Sequence, residues 1–183
     1  MKFRDRKSLC VLLMIAFGAS AFAQVKPFAL HASLQADSNK KSVKCREAVL
    51  WNKDSVIINY HSPAVRSRTI WGGLVPYGNV WVTGGHMATN IELPHAVIMN
   101  GQKILKGKYA LFTIPKANDE WVVILNKNWQ QHLTDEYDEK DDVIRIPVSS
   151  NIESPHAERL QWGFVPTDAK NAWLYMRWEK VQI

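Results

Sequence analysis

Short segments in which apolar and polar residues alternate run through most of this chain, and they limit its fold more than any other feature. In one of them, Leu160, Trp162 and Phe164 fall on the same face of an extended chain. A period of two is typical of a β-strand with one buried face. Asn100-Gly101 is the residue pair most favoured in tight two-residue hairpin turns. The pattern therefore predicts β-strands joined by short turns.

We predict strands at residues 55–60, 80–83, 89–93, 96–99, from about 104 with a break before 109–114, then at 121–125, 143–148, 158–165 and 172–181. Segment 121–125 is apolar almost throughout, which predicts burial on both faces. Residues 128–142 suit either a short helix or a loop held by aromatic side chains. Because no long helical crossover appears, we expect an all-β fold, a single antiparallel β-sandwich domain, with a partly closed β-barrel as the alternative.

The N-terminus has the three parts of a secretory signal peptide: a basic start, an apolar run from Leu9 to Phe22, and the cleavage pattern Ala21-Phe22-Ala23. The run of about 14 residues is too short to span a bilayer. We therefore predict cleavage between Ala23 and Gln24 and a periplasmic or secreted protein. Residues 24–50 are interpreted as a partly disordered N-terminal arm, and residues 51–183 as the β-sandwich domain.

Charge and cysteine content narrow the classes of partner. The formal net charge is +6, and loss of the leader's four basic and one acidic residues reduces it to +3. No run of Lys or Arg suits a phosphate backbone, so we expect no nucleic-acid partner, and no segment after the leader is apolar enough to span a membrane. Cys45 is then the one remaining cysteine, and we expect an unreactive, partly buried thiol, although a mixed disulfide or an intermolecular bridge stays open.

The stretch from Asn59 to Glu92 carries the densest set of unusual residues. It holds five of the chain's nine glycines, three aromatic residues between the turns, and two arginines and two histidines. Glycine and proline at this density mark turns with special backbone angles. Ordered loops of this kind are a frequent place for binding residues. The sequence therefore places the candidate site here.

The sequence contains no linear signature of a catalytic site, such as H-E-x-x-H or G-x-S-x-G. The candidate ligand-binding residues are drawn from the loop stretch: His61, Arg66, Arg68, Trp81, Thr83, His86 and Thr89. His61 and His86 are also candidate metal ligands, for zinc or for copper with Met87 as a soft donor, but their spacing is not that of a metal motif. We expect no cofactor, with zinc or copper as the alternative.

Other roles are open for the same side chains. The histidines suit loop-shaping hydrogen bonds, and at least one arginine suits an internal ion pair, with Glu92 or Asp141 for example. The aromatic residues Trp71, Tyr77 and Trp81 suit either a stacking platform for a sugar or the core. The acidic run 135–142 lacks the spacing and the glycine of a calcium loop, and we expect a solvated surface there.

A series of short motifs runs in order from Ser55 to Val181. It includes Tyr60, Ser62-Pro63, Leu74-Val75-Pro76-Tyr77-Gly78, Val80-Trp81, Thr83-Gly84, Ala88-Thr89, Gly107-Lys108-Tyr109, Phe112-Thr113-Ile114-Pro115, Trp121-Val122-Val123-Ile124-Leu125-Asn126, Tyr137 and Asp142-Val143-Ile144-Arg145. Together these motifs resemble the bacterial domain-of-unknown-function family 2911, which is frequent in secreted proteins of the Bacteroidota. The resemblance implies export and no particular activity, because the family has no established one.

The central run of the family is tryptophan, arginine, threonine, glycine, alanine and then asparagine or histidine. Here Val82 stands in place of the arginine and Gly85 in place of the alanine, so a site that depends on that arginine charge is in doubt. His86 falls at the asparagine-or-histidine position, which makes it the first residue to test.

Three functions remain, in descending order of preference. The first is a non-catalytic binding module for a small ligand, glycan or envelope protein, which uses the Tyr60–Thr89 loops. The second is a structural envelope protein without a ligand. The third is a metal-dependent or acid–base hydrolase centred on His86, for which a carboxylate within reach of His86 would be required.

Overall fold

The structure is a computed structural model that describes residues 41–51, 53–117 and 120–183. The leader, its cleavage site and His31 lie outside the described residues. The strands are β1 Ser42–Trp51, β2 Asp54–Pro63, β3 Asn90–Leu93, β4 Val97–Met99, β5 Gln102–Ile104, β6 Gly107–Ile114, β7 Glu120–Asn126, β8 Asp142–Ser149, β9 Ala157–Pro166, β10 Ala172–Glu179 and β11 Val181–Gln182.

Six of the strands form one antiparallel sheet in the order β1-β2-β3-β6-β7-β8. Its first two strands pair along their whole length, from Ser42 opposite Pro63 to Trp51 opposite Asp54. Residues 42–50 therefore belong to the sheet, and the prediction that the arm extends to residue 50 is wrong for them. The strand is hard to recognise in the sequence because Lys44 and Arg46 occupy exposed positions while a carboxylate, Glu47, occupies a buried one.

The second sheet has the order β11-β10-β9, and it meets the first beyond the end of β2. There, Ala64 and Arg159 form an isolated antiparallel bridge, and the Ser62 hydroxyl donates to the Leu160 carbonyl at 2.7 Å. Apolar side chains of both sheets share one core, including Ile58, Leu111, Leu125, Leu160, Trp162 and Met176. The predicted all-β sandwich is confirmed.

The other face of the six-stranded sheet is covered by loops near its centre. Ala110, Phe112 and Ile124 form a second buried cluster there with Val82 and Ala88 of the loop before β3. Alternate residues of β6 and β7 thus enter different cores, which confirms the predicted two-sided burial of segment 121–125.

Two smaller predictions have different outcomes. Residues 80–83 are not a strand, because only Trp81 pairs with the sheet, through a single bridge to Thr113. Residues 128–142 form a loop that ends in the three-residue 3-10 helix Glu139–Asp141, so the aromatic-held loop is the correct alternative. Within the described ranges, no helix is long and apolar enough to cross a membrane.

Candidate functional site

The loop stretch from Asn59 to Glu92 divides near Val82 into an aromatic half and an imidazole half. In the aromatic half, the ring of Trp71 contacts that of Trp121 at a centroid distance of 4.9 Å. The ring of Trp81 stacks on Trp178 at 5.8 Å with an interplanar angle of 17°. Since Trp178 is 1% exposed, these contacts draw Trp71 and Trp81 toward the core and leave Tyr77 as the exposed member of the predicted platform.

Thr83 and Thr89 are both fully buried and have internal partners. The Thr83 hydroxyl lies 3.0 Å from that of Thr113, and the Thr89 hydroxyl donates to the Thr83 carbonyl at 3.0 Å. The same carbonyl accepts from the indole N–H of Trp162 at 3.3 Å. These two predicted ligand-binding residues therefore hold the loop in shape, because their hydroxyls are satisfied inside the fold.

The two arginines lie on the turn after β2. Arg68 donates from Nη2 to the carbonyl of Ala64 at 2.6 Å and from Nε to that of Val65 at 3.1 Å. The backbone amide of Arg66 donates to Glu158 Oε1 at 3.0 Å. Arg68 thus fills the internal role that the sequence suggested for one of the pair, with backbone carbonyls in place of a carboxylate.

Glu92, one of the two carboxylates suggested as an ion-pair partner for an arginine, has other partners. Glu92 accepts from Lys108 Nζ at 2.9 Å and from the Asn59 side chain at 3.1 Å. Hydrogen bonding to Lys108 is the first cause that lowers the pKa of Glu92 below its ordinary value. Glu92 therefore belongs to a polar ladder across β2, β3 and β6.

The imidazole half brings together histidines from three separate segments. The ring of His61, at the end of β2, lies 5.5 Å from the ring of His86. The ring of His86 lies 6.4 Å from that of His132, on the loop after β7. The exposed apolar side chains of Met87 and Leu133 adjoin them, 44% and 39% exposed. We call these five residues the imidazole surface.

Two residues of the imidazole surface have a strained backbone. His86 and Leu133 both have left-handed backbone angles, with φ of 60° and 48°. They are joined directly, because the amide of Leu133 donates to the carbonyl of His86 at 2.7 Å. Left-handed conformations in residues other than glycine are uncommon and cluster at functional sites.

The electrostatic environment of His61 is cationic. Burial is the largest cause that lowers the pKa of His61, and His86 and Lys44 lower it further. Lys44 lies directly opposite His61 in the β1–β2 pair, so the two side chains share one face of the sheet. His132 differs, because its Nδ1 lies 3.0 Å from Asp135 Oδ2.

The sequence missed two members of this site, Lys44 and His132. Lys44 was missed because its segment was interpreted as an arm, and His132 because it is separated from His61 by 71 positions in the numbering. Its position among acidic residues pointed to a solvated loop, and only the pairing of Met87 with His132 brings that loop onto the site.

The candidate metal ligands His61 and His86 are adjacent, but no larger metal-binding group surrounds them. Over the described ranges, no three His, Cys, Asp or Glu side chains are arranged to hold a metal ion. Zinc or copper binding by the histidine pair stays a prediction.

Comparison with known families gives one match. The model of the family described as "Protein of unknown function (DUF2911)" matches residues 39–183. The chain belongs to this family. No curated protein and no solved structure matches it.

Several motifs on which the DUF2911 resemblance rests form one hydrogen-bond network at the edge of the main sheet. The carboxylate of Asp142 accepts from Tyr137 at 2.8 Å, from Arg145 at 2.7 Å and from Asn126 at 2.8 Å. Burial, followed by the hydrogen bond to Asp142, raises the pKa of Tyr137 to about 12. Asp142 is therefore an exception to the predicted solvated acidic surface, and this network attaches the loop that carries His132.

Proposed function

We propose that this DUF2911 protein is an exported, non-catalytic binding module, and that the imidazole surface binds its small ligand, glycan or protein partner. The observation that carries the proposal is the direct backbone contact between the left-handed residues His86 and Leu133. This contact joins two of the three segments that carry the histidines, and it places His86 and His132 beside exposed apolar side chains. Strain of this kind costs about 1–3 kcal/mol per residue and persists where the surroundings impose it.

Most of the remaining candidate residues of the stretch stabilise the fold rather than face a ligand. Trp81, Thr83, Thr89 and Arg68 have packing or hydrogen-bond partners inside the fold. The imidazole surface instead combines polar rings with exposed apolar groups, which is the composition of many ligand sites.

The hydrolase hypothesis has less support. A histidine that acts as a general base is commonly oriented by a carboxylate. Among the described residues of the imidazole surface, the histidine with a carboxylate partner is His132, whose Nδ1 bonds to Asp135, and not His86.

The test is a fragment screen on protein purified from cells that express the full chain. A library of neutral, cationic and anionic fragments is monitored through the NMR signals of the histidine rings and the Met87 methyl group. We expect hits that perturb His61, His86 and Met87 together and that bind at least tenfold more weakly to His86→Asn. Asparagine tolerates the left-handed backbone, so this variant removes the ring without adding strain.

His156→Asn is the matched control, because His156 is exposed and its ring adjoins Glu158 rather than another histidine. It should leave the affinity of every hit unchanged. Hits that map only to other parts of the molecule, or that bind His86→Asn with full affinity, would overturn the proposed site. Zinc and copper titrations on the same variants test the metal prediction separately.

A further inference from the structure

A cationic corner lies at one edge of the imidazole surface, where β1, β2 and the loop at residues 83–86 meet. Lys44 and His61 are cross-strand partners there, and His86 stands 5.5 Å from His61. The two side chains that perturb His61 electrostatically are His86 and Lys44, and both disfavour a further positive charge. A group with negative charge would relieve this repulsion.

The loop backbone in this corner packs closely on β1 and β2 because two glycines replace side chains. A Cβ atom added at Gly84 would lie 2.9 Å from the Thr89 hydroxyl and 3.0 Å from the His61 carbonyl. A Cβ atom added at Gly85 would lie 3.3 Å from the Ser42 hydroxyl. Glycine is therefore favoured at both positions by the close packing of the loop on β1 and β2.

Three successive amides of the loop in this corner have no backbone acceptor among the described residues. Within the described part of the chain, no backbone carbonyl accepts from the amide of Gly84, Gly85 or His86. The left-handed residues Thr83 and His86, with φ of 51° and 60°, enclose these amides. Successive amides beside left-handed residues form concavities that bind anions.

The hydroxyl of Ser42 is a further unpaired group. Its oxygen is buried and has no hydrogen-bond partner among the described residues. A buried hydroxyl without a partner is destabilising. Because Ser42 Oγ faces the position of Gly85, a group bound at the loop amides would lie close to it.

From this arrangement we infer that the corner formed by Ser42, Lys44, His61, Gly85 and His86 binds an oxyanion, the phosphate or carboxylate group of the ligand. The inference rests on the proposed function and specifies its ligand chemistry. Lys44 supplies a fixed positive charge, the loop amides supply neutral donors, and the imidazoles supply charge when they are protonated.

Binding should strengthen as the pH falls, because a bound anion favours the protonated imidazoles. The groups that face them are Lys44 from β1, His86 from the 83–86 loop, and His132 with Asp135 from the loop after β7. Asp135 is the one carboxylate among these groups, and it accompanies His132 at the far end of the surface.

Sulfate and acetate are the probes, since each keeps its charge between pH 6 and pH 8. They are titrated into the wild-type protein at constant ionic strength while the histidine ring signals are followed by NMR. We expect saturable shifts at His61 and His86, with an affinity about tenfold higher at pH 6 than at pH 8. Saturation by sulfate alone assigns a phosphate-type ligand, and saturation by acetate assigns a carboxylate.

Three variants distinguish binding at the corner from a general effect of charge. Lys44→Gln should weaken binding at least tenfold, whereas Lys106→Gln removes the same charge from an exposed turn and should change nothing. Ser42→Ala should weaken binding several-fold without lowering the unfolding temperature, because its hydroxyl has no partner to lose.

Linear, unsaturated shifts with both anions, or equal weakening by Lys44→Gln and Lys106→Gln, would overturn the inference. If neutral fragments still bind the imidazole surface in that case, the proposed function stands and only the ligand class is wrong. If no fragment binds there, both fail.

Discussion

Both faces of the β1–β2 pair carry polar residues, but those on one face are buried and those on the other are partly or fully exposed. On the inner face, Cys45, Glu47 and Tyr60 are buried within the sandwich. On the outer face, Lys44 is exposed and His61 is half-buried beside an exposed His86. The strands alternate between the two faces residue by residue, so the difference arises only from what covers each face.

Burial favours the uncharged form of titratable groups on both faces, which raises the pKa of an acid and lowers that of a base. Burial raises the pKa of Glu47 to about 7 and that of Cys45 to about 11, so the thiol is neutral at pH 7 and the carboxyl is neutral only below it. Burial lowers the pKa of His61, and His86 and Lys44 lower it further. The inner polar groups therefore pack as part of the core, whereas His61 lies on a face that is partly open to solvent. The following four predictions test this contrast.

The largest effect should come from Tyr60→Ala. The side chain is 3% exposed in the core, and removal of a large buried aromatic group costs about 3–5 kcal/mol in the free energy of unfolding. Its neighbour on the opposite face, in His61→Ala, should lose less than about 1 kcal/mol. Urea denaturation of both variants measures the difference, and equal losses would mean that the two faces are not energetically distinct.

The second effect concerns Glu47, whose folded pKa of about 7 lies above the ordinary 4.5. The folded state binds the proton more tightly, so this contribution to stability is complete below pH 4.5 and is lost as the pH rises through 7. The loss amounts to about 3 kcal/mol at most. Glu47→Gln should remove this part of the pH dependence and be more stable than the wild type at pH 8. A variant with the wild-type pH profile would show that Glu47 is not the responsible group.

The third effect has the opposite direction. Because the folded pKa of His61 is depressed, the unfolded state binds the proton more tightly, and stability is lost as the pH falls below about 6.5. His61→Gln should flatten the acid side of the curve of unfolding free energy against pH, by less than Glu47→Gln flattens the neutral side. His156→Gln serves as the control. An unchanged acid side in His61→Gln would contradict the burial of this ring beside His86 and Lys44.

The smallest effect concerns the chemical reactivity of the Cys45 thiol. A pKa of about 11, against an ordinary value of 9.0, leaves about 100-fold less thiolate at neutral pH. In the native protein the thiol should react with a disulfide reagent at least 100-fold more slowly than in urea. Rapid native labelling would show that the inner face opens readily.

Much of the fold was predictable because strand formation depends on local alternation. Most strands from Asp54 onward were found to within a few residues. Residues 80–83 were not, because Trp81 enters a tryptophan cluster rather than a ladder. β5 ends where its strand was predicted to start, and the predicted strand 172–181 is divided into β10 and β11. β1 was missed because exposed Lys44 and Arg46 alternate with Cys45 and the buried carboxylate Glu47, a pattern that is less apolar than an ordinary strand. Burial of Glu47 depends on partners that the local sequence does not contain.

The candidate site was only partly predictable. His61 and His86 were named together as candidates, and they are adjacent in space, but their binding role stays a prediction. Thr83 and Thr89 were chosen for hydroxyls that the fold satisfies internally. The sequence carries no signal that separates a hydroxyl with an internal partner from a free one, because the partner Thr113 lies 30 positions from Thr83.

By itself the sequence determined the strand class, the tight turns and the glycine-rich loop, since these depend on side-chain alternation and backbone preferences within a few residues. Only the tertiary structure decided which tryptophans enter the core and which histidines meet. Lys44, His61, His86 and His132 come from four segments, and their common surface exists because sheet pairing and the His86–Leu133 backbone contact bring those segments together.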